Sequence, residues 1–243
     1  MTRLFASDLH LDPSRPEITG QFLDFVAGPA RQAQALYLLG DLFEAWLGDD
    51  APGALGEQLI EALGRLSAAG VALFVMQGNR DFLLGERFCK RAGASFLEDP
   101  TVVTIGTVRV LLTHGDALCT SDARYQRLRF LVRDPGVQRA FLALPLARRR
   151  ALAAEARAGS HAHLAAADDY ITDVSQAAVE QALAAAGVDV LLHGHTHRPA
   201  VHHFRWQGRD CRRIVLGDWH RQGSVLRWDD KGYELLQLPR HGG

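Results

Sequence analysis

Three observations predict an α/β protein. Short apolar runs recur along the chain, each closed by a turn rich in Gly, Asp or His. Helical patterns fill the intervals. The runs are continuous rather than alternating, which suits strands buried on both faces. A chain of 243 residues has room for one such domain, residues 1–243, carrying an insertion.

The elements follow in order. Leu4-Phe5-Ala6 forms a first strand before Asp8, and a helical pattern covers Thr19 to Ala27. Leu36-Tyr37-Leu38-Leu39 runs into Gly40-Asp41, and a helix covers Ala54 to Ala69. Leu73-Phe74-Val75-Met76 precedes Gly78-Asn79-Arg80-Asp81, with a helix over Leu84 to Arg91. Val110-Leu111-Leu112 precedes Thr113-His114-Gly115-Asp116. A stretch from about Tyr125 to Tyr170, rich in Ala, Leu and Arg and broken by Pro135 and Pro145, departs from this rhythm. It reads as a helical insertion standing over the strand ends. A helix over Asp173 to Ala186 and a strand Val190-Leu191-Leu192 lead into His193-Gly194-His195-Thr196-His197. Beyond Pro199 an alternating pattern around Gly208, Gly223 and Gly232 predicts antiparallel strands completing a second sheet.

Composition narrows the function classes. Hydrophobic residues are 47% and charged residues 23% of the chain, which excludes disorder. A net charge of −1 offers no general attraction to nucleic acid. No apolar run is long enough to span a bilayer, and Met1-Thr2-Arg3-Leu4 leads into a strand rather than a signal peptide. Cys89, Cys119 and Cys211 make no C-x-x-C pair and read as reduced, packed thiols of a cytosolic protein. The average charge hides an asymmetry: Arg124 to Arg157 holds nine arginines against Asp134 and Glu155, so that segment is +7 and the remainder −8.

The strand-end turns carry the chemistry. In an open α/β sheet, ligands bind outside the carboxyl ends of the strands. Five turns there offer oxygen or nitrogen donors: Asp8 and His10; Asp41; Asn79; His114; His195 and His197. Alternate side chains of a strand share a face, so Asp8 with His10, and His195 with His197, can address one ion each, and Asp41 can bridge two. Mixed O and N donors without thiolate favour Mn²⁺ or Fe, or a catalytic Zn²⁺. Two ions about 3.5–4 Å apart clamp the attacking and leaving oxygens of a phosphoryl displacement.

The ordered set D-x-H, G-D, G-N-R-D, H-G-D and G-H-T-H resembles the calcineurin-like metallophosphoesterases over nearly all of residues 3 to 220. The resemblance implies a four-layer α/β/β/α sandwich with a dinuclear centre. By it, one ion is held by Asp8, His10, Asp41 and His197, and the other by Asp41, Asn79, His114 and His195. It also implies attack on phosphorus by a metal-activated hydroxide. Arg80 narrows the substrate. Many members carry His after this Asn, placed to protonate a departing alkoxide; Arg is always charged and cannot act as an acid. A phosphate, with a second pKa of about 6, departs without such help, so a pyrophosphate bond is the expected target and Arg80 grips its oxygens.

Gly40-Asp41-Leu42-Phe43-Glu44-Ala45-Trp46-Leu47-Gly48-Asp49-Asp50, Gly78 to Gly85 and His193 to Pro199 are similar to one branch of that family, the UDP-2,3-diacylglucosamine pyrophosphatases of lipid A biosynthesis. This resemblance implies Mn²⁺-dependent hydrolysis at the α-phosphorus, giving UMP and 2,3-diacylglucosamine 1-phosphate. It implies Asn79, Arg80 and Asp41 as catalytic, and Asn79, Arg80, Asp122, Tyr125, Ser160 and His195 as substrate contacts. Leu164 and Ala167 stand where relatives carry Asn and Lys, and His161 replaces a common Lys. The implied setting is the cytoplasmic face of an inner membrane, peripherally bound, without an obligate protein partner. The insertion then supplies a slot for acyl chains from Phe130, Leu131, Phe141, Leu142, Leu144 and Leu146. Arg148, Arg149 and Arg150 face an anionic membrane surface. Asp218 and His220 are candidates to support the metal ligands from outside. Two other readings stay open: a soluble phosphoesterase of the same fold acting on nucleotides or phosphoproteins, and a metal-poor scaffold that binds protein partners.

Overall fold

The computed structural model describes residues 1–166, 173–220 and 222–239, and the side chains of all of these except 159–166. Two sheets pack face to face. The first has the order β11-β10-β1-β2-β3-β4, from β1 (Arg3–Ala6), β2 (Ala35–Leu39), β3 (Ala72–Met76), β4 (Ala94–Leu97), β10 (Gly223–Asp229) and β11 (Gly232–Leu238). The second has the order β5-β6-β7-β9-β8, from β5 (Thr101–Ile105), β6 (Val108–Thr113), β7 (Val190–His193), β8 (Ala200–Trp206) and β9 (Arg209–Val215). The strands β1 to β4 run parallel, as do β6, β7 and β9.

Period-two alternation explains why the central strands are apolar throughout. Leu4, Ala6, Leu36 and Leu38 point outward into a core shared with α1 (Pro16–Ala27), α2 (Gly53–Ala68) and α3 (Glu86–Ala92). Phe5, Tyr37 and Leu39 point the other way, against Val110, Leu112, Val190, Leu192 and Ile214 of the second sheet. Leu111 and Leu191 then face Val179 and Leu183 of α7 (Gln176–Ala186). The result is four layers, α/β/β/α. Each central strand is covered on both faces, so its residues run apolar continuously rather than alternating with polar ones.

Local boundaries follow chain chemistry. Pro16 stands at the first turn of α1, where its missing N–H costs nothing, so the helix starts earlier than expected. Ser175 caps α7, its hydroxyl accepting from Ala178 N at 3.2 Å. Ser175→Ala is therefore expected to cost about 1 kcal/mol in urea unfolding, and an unchanged midpoint counts against the cap.

The tail departs from expectation. Only β8 and β9 join the second sheet; β10 and β11 return to the first, with β10 antiparallel to β1. A hairpin can extend any free sheet edge, and alternation alone does not specify which. The short strands β4 and β5 lie in mixed polar sequence on either side of the Glu98 to Pro100 turn and have no period of their own.

Between β6 and α7 the chain forms α4 (Ala123–Val132), α5 (Pro135–Leu142) and α6 (Leu146–Ala166). Asp122 and Asp134 cap α4 and α5, accepting from Tyr125 N at 2.9 Å and from Gly136 N and Val137 N at 2.8 and 2.9 Å. Phe130, at 82% exposure, and Leu131, at 53%, face solvent rather than a slot.

Candidate metal centre

The parallel strands of both sheets deliver their following loops to one edge, and there the backbone turns abruptly. Asp8, His10, Asp41, His195 and His197 all have positive φ, between 48° and 68°. Among the described residues the one other non-glycine in this region is Gln207. Left-handed geometry costs about 1–2 kcal/mol per ordinary residue, so the strain is concentrated where the candidate ligands sit. This corrects the expectation that Asp8 with His10, and His195 with His197, share a strand face: β1 ends at Ala6 and β7 at His193. Convergence comes from consecutive loop turns instead.

Two groups of donors meet. In one, His10 Nε2 lies 3.2 Å from His197 Nε2, and His197 Nε2 lies 3.3 Å from Asp8 Oδ1. In the other, Asn79 Oδ1 lies 2.9 Å from His114 Nε2 and 2.8 Å from His195 Nδ1. Asp41 stands between them, with Oδ2 3.7 Å from His10 Nε2 and Oδ1 3.7 Å from His114 Nε2. The seven side chains singled out in the sequence thus lie together. Gly78 makes the approach possible, because a Cβ there would fall 2.1 Å from Asp41 Oδ1.

The donor set fits two cations. Asp8 Oδ1 is buried without a hydrogen-bond partner among the described residues and faces the first group. His114 Nδ1–H donates to the Leu39 carbonyl at 2.9 Å, so its Nε2 offers a lone pair to the second group unless it is protonated. Burial pulls the His114 imidazolium down, but Asp41, Asp8 and Asp116 outweigh it and hold its pKa at about 9. For His197 burial is likewise outweighed, by the carboxylates of Asp218 and Asp8 beside it, and the pKa rises to about 10. His195, buried and beside His114, is pushed down to about 4 and stays neutral. Burial raises Asp8, yet the neighbouring His197, His114 and His10 hold it well below the usual carboxylate range.

Two residues of the motif strings, Glu44 and Asp81, support the donors although the sequence alone assigns them no role, and Asp218 and His220 stand beside the ligands they were expected to support. Glu44 Oε2 accepts from His10 Nδ1 at 3.1 Å, fixing the tautomer that leaves Nε2 inward. Burial opposes its charge, but His10, Arg80 and Arg15 hold its pKa at about 2. Asp218 does the same for His197 through Nδ1 at 3.1 Å. His220 stacks on His10 with centroids 5.3 Å apart and offers a nitrogen close to His10 and His197. Asp81 accepts from the backbone N–H groups of Asp41, Leu42 and Gly78 at 3.2, 2.7 and 2.7 Å. Burial, and then the Asp41 charge, push Asp81 up to about 6.

A cavity of about 280 Å³ opens beside Asn79 and runs under the three inserted helices. Asn79, Arg80 and Tyr125 line the end at the donor cluster, Trp46, Phe82, Leu128, Val132, Phe141, Leu152 and Ala156 give an apolar wall, and Glu44, Asp116, Arg129, Arg133, Gln138 and Arg157 also border it. Of the six apolar residues expected to form a slot, Phe141 alone borders it; the cavity uses the opposite helix faces. The arginines also divide. Arg129 Nε donates to Asp116 Oδ2 at 2.9 Å, and Arg133 donates to the Gly78 carbonyl at 3.0 Å. Arg149 is buried on Asp50, so of the expected membrane-facing three only Arg148 and Arg150 are exposed.

The other expected contacts are placed as follows. Arg80 NH1 lies 3.7 Å from Glu44, and its buried Nε has no hydrogen-bond partner among the described residues. Tyr125 stacks against His195 with centroids 6.0 Å apart and donates its hydroxyl to Asp116 at 2.6 Å. Asp122 caps α4. Ser160, with His161, Leu164 and Ala167, lies outside the residues whose side chains are described.

Residues 1–199 match the family model described as calcineurin-like phosphoesterase. The chain is 53% identical to the UDP-2,3-diacylglucosamine hydrolase of Xanthomonas oryzae pv. oryzae (strain PXO99A), covering 98% of this chain and 99% of that one. It is 51% identical to the UDP-2,3-diacylglucosamine hydrolase of Stenotrophomonas maltophilia (strain K279a), covering 99% and 100%. Among solved structures, hypothetical protein PH1004 from Pyrococcus horikoshii OT3 shares the fold, with a TM-score of 0.50 at 10% identity over 99% of this chain and 89% of that one.

Proposed function

The chain belongs to the calcineurin-like phosphoesterase family, and from that premise we propose that it hydrolyses the pyrophosphate bond of UDP-2,3-diacylglucosamine. The products are UMP and 2,3-diacylglucosamine 1-phosphate, a step of lipid A biosynthesis, and the ions are Mn²⁺. The observation that carries this reading is the cavity lined largely by apolar side chains whose inner end shares Asn79 with the donor cluster. A soluble nucleotide or phosphoprotein needs no such slot; a diacylated sugar does.

Asp8, His10, Asp41 and His197 would hold one ion, and Asp41, Asn79, His114 and His195 the other. When bound, the ions supply a deprotonated water at neutral pH and neutralise phosphate charge. The residues of the chain do the rest. Arg80 sits at the junction of cluster and cavity with an unused buried donor, suited to hold the phosphate oxygens of the diphosphate. It cannot release a proton, so the leaving group must depart as a stable anion. The oxygen of water bonds to the α-phosphorus, the bond from that phosphorus to the bridging oxygen breaks, and the sugar phosphate leaves with the bridging oxygen. Tyr125, held by Asp116 and packed on His195, walls the site from the side of α4.

Peripheral contact with an anionic inner-membrane surface accounts for the exterior of the insertion. Exposed Phe130, Leu131 and Leu142 are interspersed with exposed Arg124, Arg127, Arg148 and Arg150, which suits interfacial association. Among the described residues no helix is long and apolar enough to cross a membrane.

Hydrolysis in ¹⁸O-water, with Mn²⁺ and UDP-2,3-diacylglucosamine, tests the reading. Label in UMP is expected. Label in the sugar phosphate moves the attack to the other phosphorus. Turnover of simple nucleotides without the diacylated substrate replaces the proposal with the soluble phosphoesterase, and a chain that takes up no Mn²⁺ replaces it with the scaffold.

A further inference from the structure

Arg149 lies among the basic residues of the insertion, yet it is 5% exposed. Its guanidinium is spent on one loop and one turn. NH1 and NH2 donate to the two oxygens of Asp50 at 2.7 and 2.6 Å, the fork matching the carboxylate. NH1 also donates to the Leu47 carbonyl at 2.8 Å, and Nε to the Leu144 carbonyl at 2.9 Å. The loop that receives it is shaped for the purpose. Gly48 has φ +122°, and a Cβ there would lie 2.6 Å from Leu142 Cδ2 and 2.7 Å from Asp50 Oδ1.

Both partners of this contact carry cavity wall. Trp46 and Leu47 precede Gly48 and line one side. Leu152, Ala153 and Ala156 line the other, and they stand three, four and seven positions after Arg149, on the same face of α6. Trp46 is held in turn by Asp49, which accepts from its Nε1 at 2.8 Å. The same loop begins at Asp41 and Glu44, so the contact ties the roof of the cavity to the segment that supplies the donor cluster.

We infer that Arg149 and Asp50 are a positioning pair that sets the width of the cavity and so the fit of an apolar chain in it. They touch neither the donor cluster nor the cavity contents; they act through Leu47 and through the face of α6. The inference rests on the proposed lipid substrate for its biological meaning, and on the contacts above for its geometry.

The test uses the full Mn²⁺-loaded chain and a fluorescent dodecanoyl fatty-acid probe. Arg149→Met keeps the aliphatic stem and removes every donor. It is expected to weaken probe binding about tenfold, because the walls on which the probe packs are no longer held at one spacing. KM for UDP-2,3-diacylglucosamine should rise by a similar factor at unchanged kcat, with Mn²⁺ affinity unaltered. Arg149→Lys, which keeps the charge but not the fork, and Asp50→Asn should fall between, and they carry the test should Arg149→Met not fold. Equal probe affinity in all variants, no probe binding by the unaltered chain, or a parallel fall in Mn²⁺ affinity overturns the pair. Predicted probe losses in a chain that never cleaves the diacylated substrate sink the substrate reading and leave the pair standing.

Discussion

Asp41→Asn is expected to lower kcat/KM by about a thousandfold or more, the scale of losing a preorganised charge at a reacting phosphorus. It should also reduce Mn²⁺ uptake from two ions while the chain stays folded. The reasoning starts at the backbone. Asp41 has φ 53°, a conformation asparagine adopts readily and alanine does not, so Asn isolates the charge without added strain. The side chain keeps its shape, and its remaining oxygen can still accept from Arg80 N, now bonded at 2.7 Å. What disappears is the negative charge placed 3.7 Å from a nitrogen of each donor group. Together with Asp8 it is one of two carboxylates set against four imidazoles and an amide, so the set loses half its charge toward the two ions. Calorimetric Mn²⁺ titration beside steady-state kinetics checks both halves. Two ions still bound at ordinary affinity would remove Asp41 from the shared position.

Much of this site was legible because its chemistry depends on residue type and order along the chain. Asp8, His10, Asp41, Asn79, His114, His195 and His197 follow apolar runs, and the parallel strands among those runs end on one edge of the fold. The route to convergence was not legible. Strand alternation suggests that Asp8 and His10 meet by sharing a face, whereas both lie beyond β1 in left-handed turns. That conformation reflects tertiary closure overriding local preference. Glu44 was hidden for a related reason, since its contact with His10 joins residues 34 apart through two different loops. The insertion shows the limit of composition. Its helical character is plain from Ala, Leu and Arg content, but the orientation of each helix is set by packing against the loops below. Phe130 consequently faces out while Val132 faces the cavity, and Arg149 is buried beside two exposed arginines. The terminal hairpins were legible as antiparallel strands. Their division between two sheets depends on which edge each meets.

Asp81→Ala is expected to cost about 3 kcal/mol of stability and to weaken Mn²⁺ binding, although Asp81 is no candidate ligand. Two effects compete. Removing a fully buried carboxylate relieves a charge that burial and Asp41 already disfavour, as its elevated pKa of about 6 records. Against this, three backbone N–H groups, of Asp41, Leu42 and Gly78, lose their acceptor at once. Each buried orphan costs about 1–3 kcal/mol. The orphaned donors therefore win. Because two of them belong to Asp41 and to the residue before Asn79, the loops that bring both donors together loosen with them. Asp81→Asn separates shape from acceptor count: Oδ1 receives two of the N–H groups and Oδ2 the third, so an amide must turn its NH₂ toward at least one donor. Urea unfolding with and without Mn²⁺ should rank the unaltered chain above Asp81→Asn and both above Asp81→Ala. A midpoint and a Mn²⁺ affinity that stay fixed across the three would show that these loops hold their shape without the carboxylate.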